Sequence, residues 1–163
     1  SIDIMAEGSW LQERTAFVRY SIPYREEVTL IVALKSAGDQ GIKQLNDVYT
    51  LNKKVLVLDL GWLGPEVQVQ RELWRRNNQL IAYKDPYEGL RDLRLNRADL
   101  MLCTDLVFYH ALQAPKDVEV LPFEVYREAV HLMFSKKTVS DSEVELFNAA
   151  LRYWMKSQLP IKP

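Results

Sequence analysis

The chain has 163 residues, enough for one good core or for one lobe with parts of a second. Its residues are 48% hydrophobic and 26% charged with a formal net charge of −1, which leaves no polycationic field for a nucleic acid. No apolar run reaches the ~18 residues of a membrane-spanning helix, and the single cysteine, Cys103, excludes an internal disulfide.

"IDIMAEG" alternates and stops at Gly8, a short strand, and Gln12 to Val18 reads as a brief helical turn. Val28 to Leu34 is a continuous, β-branched apolar run, a buried strand. A Gly-rich loop follows, and then Ile42, Leu45 and Val48 recur at helical spacing. "KKVLVLDL" is a strand, and "GPEVQVQRELWRRNN" a helix with Pro65 in its first turn, where a missing N–H costs nothing. "QLIAY" is a strand, and "DPYEGLRDLRLN" a helix capped by Asp85. "ADLMLCT" and "DLVFYHALQ" repeat the strand–helix alternation. "VEVLPF" and "EAVHLMF" are strands, and "SDSEVELFNAALRYWMKS" is an amphipathic helix opened by a Ser-x-Ser-Glu cap. Alternating strands and helices predict an α/β architecture with parallel or mixed sheets.

Three places carry polar groups to a strand end or a helix start. Ser9 follows the first strand, and Arg14 stands five residues on with a planar fork suited to a carboxylate. The plain alternative is a turn serine and a surface arginine paired with Glu13 or Glu7. Asp105 ends "LMLCTD"; it can cap its own helix or hold an ammonium group. In "DLGWLGPEV", Gly61 and Trp62 precede a helix whose free amides suit an anion, although a tight turn explains them equally well. Trp10 offers a ring for stacking. His110 and His131 lie in different elements and no cluster has metal-ligand spacing, so neither a metal nor a cofactor is expected. Cys103, inside a strand, is expected to be inert.

In order and spacing, "IDIMAEGSW", "QERTAFVRYSIPY" and "EVTLIVAL" resemble the type II periplasmic solute-binding proteins, family 3, the polar amino-acid receptors of ABC transporters. "LNKKVLVLDLGWLGPEV", "YEGLRDLRLNRADLMLCTD" and "EAVHLMFSKK" continue the resemblance from Ile2 to about Trp154. It implies a periplasmic, two-lobed fold that closes on a small zwitterionic or carboxylate solute. Lobe one is 1–27 and 118–158, lobe two 28–117, and 159–163 a tail, with the hinge near Val28–Leu30 and Val120–Pro122. Arg14 then matches the residue gripping the ligand's carboxylate, with Ser9 supporting it, and Asp105 the acid taking its ammonium. Gly61 and Trp62 match the helix-start segment that meets the carboxylate. The family's opening β-α-β stretch of lobe one has no counterpart here, Arg19 stands where aspartate is usual, and Trp10 replaces a smaller residue. The partners implied are an ABC permease or a signalling module, and exposed sheet edges would offer a route to a homodimer. A periplasmic dehydratase on the same fold is the third reading, with Glu7 as its only candidate general acid.

Overall fold

The computed structural model describes residues 3–157, and the expected tail at 159–163 lies outside them. The chain forms two compact units, one holding the chain up to Glu26 and from Glu128 onward, the other Glu27–Arg127.

In the first unit, strands β1 (Ile4–Ser9) and β2 (Val18–Tyr20) pair antiparallel with β8 (Tyr126–Ser135). The helical turn expected over Gln12 to Val18 is a 3₁₀ turn at Gln12–Ala16, and Val18 instead begins β2. Three residues are too few for an alternation to announce a strand; the open edge of β8 recruits them. Helix α4 (Asp141–Ser157) packs on this sheet, with the rings of Phe134 and Phe147 5.1 Å apart. Its start is a reciprocal capping box: the Ser140 amide donates to the Glu143 carboxylate at 2.8 Å, and the Glu143 amide to Ser140 Oγ at 3.3 Å. Buried Asn148 on α4 accepts the Ile22 amide at 2.8 Å, which fixes the exit from β2.

The second unit is built on β3 (Arg25–Leu34), β4 (Val55–Leu58), β5 (Leu80–Tyr83), β6 (Leu100–Thr104) and β7 (Val118–Val120). Four of these strands run in the order β3-β6-β4-β5, with β7 pairing β3. Pairing is parallel between β4 and β5 and between β4 and β6, and antiparallel between β3 and both β6 and β7. Because β7 joins β3, the chain leaves this unit only after Arg127, later than residue 118.

Helices α2 (Pro65–Arg76) and α3 (Pro86–Arg94) supply the two covers that an unbroken apolar strand requires. Leu30, Val32, Met101 and Cys103 enter the core containing Leu90 and Leu93 of α3. Ile31, Ala33, Leu100 and Leu102 enter the one containing Val67 and Trp74 of α2. Asp85 caps α3, accepting the amides of Tyr87 and Glu88 at 2.9 and 3.0 Å, and Pro86 and Pro65 occupy first turns as expected. Cys103 is buried, and burial pushes its thiol up to about 12, so it stays protonated and unreactive.

The spacing of Ile42, Leu45 and Val48 predicts a helix, but only α1 (Asp47–Thr50) is helical. The Asp47 carboxylate accepts the amides of Lys43 and Gln44 at 2.8 and 3.0 Å, folding that segment into a turn. The three apolar residues are buried all the same. The helix expected in "DLVFYHALQ" is a short π-helical turn at Val107–Ala111, followed by Gln113 and Ala114 at positive φ.

Buried Gln79 donates from Nε2 to the carbonyls of Val48 and Lys53 at 2.8 and 3.1 Å, tying the end of α1 to the approach of β5. Removing it withdraws one hydrogen bond from each carbonyl, and the Val48 carbonyl keeps only the Lys53 amide at 3.0 Å. Gln79→Ala is therefore expected to lower stability by about 2–3 kcal/mol in urea titration. A loss below ~0.5 kcal/mol, as at an ordinary surface site, would mean that water replaces the amide.

Candidate functional site

In the first unit, the register of β1 on β8 sets Ser9 opposite Val130, and Ser9 Oγ donates to Glu128 at 3.0 Å. Tyr20 fixes the turn that follows: its hydroxyl accepts the Leu11 amide at 3.2 Å and donates to the Ser9 carbonyl at 3.3 Å. Trp10 is half exposed, its ring tilted against Tyr20 at 6.3 Å, and Tyr20 meets His131 edge-on at 5.6 Å. The His131 ring is set by Nδ1–H donating to the Ser21 carbonyl at 2.8 Å. Neither Tyr20 nor His131 is singled out by sequence, because only the pairing of β2 and β1 with β8 brings them to Trp10.

Arg14 comes from the 3₁₀ turn. Its side chain reaches Met133 Sδ at 4.0 Å, and among the described residues it forms no ion pair. A thioether is a weak acceptor, so nearly all of the guanidinium's donor capacity is unspent. Arg14 borders a cavity of about 310 Å³ whose walls include Met5, Phe17, Val18 and Met133. No hydrogen bond joins Ser9 to Arg14 among the described residues; Ser9 is engaged by Glu128, and Arg14 lies over Met133.

Glu7 stands at a β-bulge between Met5 and Gly8, with φ of 60°. Such backbone is sparsely populated for a residue with a side chain and is held here by its partners. Its carboxylate accepts from the Tyr24 hydroxyl at 2.8 Å and from the Arg25 guanidinium. Burial alone raises the pKa of Glu7, but hydrogen bonds from Arg25 and Tyr24 and the charge of Arg25 outweigh it and hold the group below its ordinary value. A general acid needs the opposite shift.

In the second unit, Asp105 follows β6 and accepts two amides on Oδ1, from Leu106 at 2.8 Å and Val28 at 3.2 Å. One carboxylate oxygen thus ties the chain ahead of the π-helical turn to β3, while the amide of Val107 in that turn donates to Thr104 Oγ1 at 3.4 Å, so the expected cap comes from Thr104 and not from Asp105. Gly61 and Trp62 lie in the connection from β4 to α2. Arg71 of α2 clamps this loop, donating from Nη2 to the carbonyls of Leu58 at 2.8 Å and Gly61 at 3.3 Å. Within "RELWRRNN", which reads as a solvated face, Arg71 is thus an exception; burial lowers its pKa, with the charge of Arg75 adding to the effect. Among the described residues no group of His, Cys, Asp and Glu could hold a metal ion, and no helix is long and apolar enough to cross a membrane.

No family model matches the chain, and no curated protein matches it in sequence. Solved structures do match. A mutant of ArgBP from T. maritima superposes with a TM-score of 0.76 at 21% identity, over 96% of this chain and 64% of that one. The fold is periplasmic-binding-protein-like. An ancestral arginine-binding protein bound to arginine gives a TM-score of 0.71 at 27% identity, over 96% of this chain and 67% of that one. A histidine kinase sensor domain similar to periplasmic binding proteins gives 0.74 at 14% identity, over 96% and 65%. The chain therefore spans about 64% of the length of the binding protein named first.

Proposed function

We propose that this chain is the ligand-binding part of an extracytoplasmic receptor for a small amino-acid-like or carboxylate solute, feeding an ABC transporter. The observation that carries this reading is Arg14, a half-buried guanidinium on a largely apolar cavity that forms no ion pair among the described residues. Burying part of a cation beside apolar walls is costly unless a partner of opposite sign arrives, and a solute carboxylate supplies one in bidentate geometry. Solute-binding neighbours of the same fold support the reading. Asp105 is the residue for the ammonium: Oδ1 serves the backbone, and the same carboxylate carries the negative charge an ammonium needs. Gly61, Trp62, Ser9 and Trp10 complete the proposed ligand-binding set.

Sensing is the second reading, favoured by the likeness to a histidine kinase sensor domain. The same pocket would then report solute to a signalling module. The dehydratase reading is disfavoured by Glu7, which is held ionised where a proton donor is needed.

Calorimetric titration of the amino acids tests the proposal, with two Asp105 variants separating its roles. Asp105→Asn keeps an acceptor for both amides and removes the charge; it is expected to retain stability and to weaken solute binding about tenfold. Asp105→Ala removes both and is expected also to lose about 1–2 kcal/mol of stability. An Asn variant with undiminished affinity would reduce Asp105 to an acceptor for the Leu106 and Val28 amides.

A further inference from the structure

We infer that the solute taken by Arg14 is an amino acid with an apolar side chain, and that Met5, Phe17, Val18 and Met133 form its specificity pocket. This rests on the receptor reading of Arg14. The cavity holds about 310 Å³, the small end of the range for ligand sites, and so fits one small solute. Its walls have an aromatic ring, a β-branched side chain and two thioethers, none of which is a strong hydrogen-bond acceptor. An arginine side chain placed there would strip water from five N–H donors with little to replace it, whereas a leucine or methionine side chain loses nothing by leaving water. Methionine side chains adapt to irregular apolar shapes, so the pocket is expected to accept several of similar size.

Asp3 and Ser135 also border the cavity. Asp3 is the one acid among its lining residues, but it is exposed, and a carboxylate open to water adds little selectivity for a cation. Phe17 and Met5 are 58% and 48% exposed as the chain stands, apolar surface that a bound side chain would cover. The direction of selectivity is thus opposite to that of the arginine-bound neighbour, despite the shared fold.

The test is isothermal titration of the chain with leucine, methionine, phenylalanine, arginine and glutamate. Leucine or methionine is expected to bind at least about tenfold more tightly than arginine or glutamate. Phe17→Ala, at an exposed position that leaves the fold intact, is expected to weaken the apolar ligands about five- to tenfold. Asp3→Asn is expected to leave them within about twofold. If arginine binds most tightly and Asp3→Asn abolishes it, the apolar assignment falls while the receptor reading stands. The same holds if glutamate binds most tightly and Phe17→Ala changes nothing. If none of the amino acids binds, the receptor reading falls and this inference with it.

Discussion

Replacing Gly64 by alanine is expected to lower stability by about 3–5 kcal/mol. Gly64 precedes Pro65 at the start of α2, with φ of 104° and ψ of 157°, a region that only glycine occupies without strain. A Cβ there would lie 2.5 Å from Tyr126 Cγ and 2.7 Å from Tyr126 Cβ, the root of a side chain rather than a movable tip. Two costs therefore add: backbone strain of about 1–3 kcal/mol and overpacking of similar size. Gly38 isolates the first. It has φ of 67° and ψ of −165° with nothing within 4 Å of its absent Cβ, so Gly38→Ala is expected to cost only the backbone share, about 1–3 kcal/mol. Denaturant titration of the two variants reads the difference. Equal losses would mean that Tyr126 moves aside freely.

What was legible in the sequence follows the reach of each interaction. Asp85 before Pro86, Pro65 in the first turn of α2, and Ser140 with Glu143 are local devices, and each stands in the structure as read. The apolar runs of β3 and β6 are equally plain, because a strand covered on both faces needs no polar alternation. Where a side chain overrides local spacing, sequence reading misses. Asp47 turns the backbone ahead of α1, and the clamp of Arg71 on the Leu58 and Gly61 carbonyls gives a seemingly solvated residue a structural task. For the site, the residue types were legible but their neighbours were not. Arg14 meets Met133 across 119 positions of chain, and the apolar cavity exists only because β1, β2 and β8 converge. A bulge with Glu7 at positive φ has no local signature, since glycine stands next to it rather than in it.

Arg14→Ala is expected to weaken solute binding about 100-fold while leaving stability within ~0.5 kcal/mol, and this dissociation identifies its role. An arginine held by an ion pair of the protein would destabilise the fold when removed, because its partner would be left charged and alone. Among the described residues Arg14 has no such partner, only a thioether 4.0 Å away, so its removal strands nothing in the free protein. In the complex the same truncation leaves a carboxylate beside Met5, Phe17 and Met133 with no counter-charge, which is where the loss arises. Arg14→Lys sharpens the point: it restores the charge but not the two parallel N–H donors, and recovery of about tenfold of the lost affinity is expected. Calorimetry and urea denaturation on the same three proteins measure both quantities. A fall in stability matching the fall in affinity would make Arg14 a structural residue. Unchanged affinity in both variants would return it to the solvated surface.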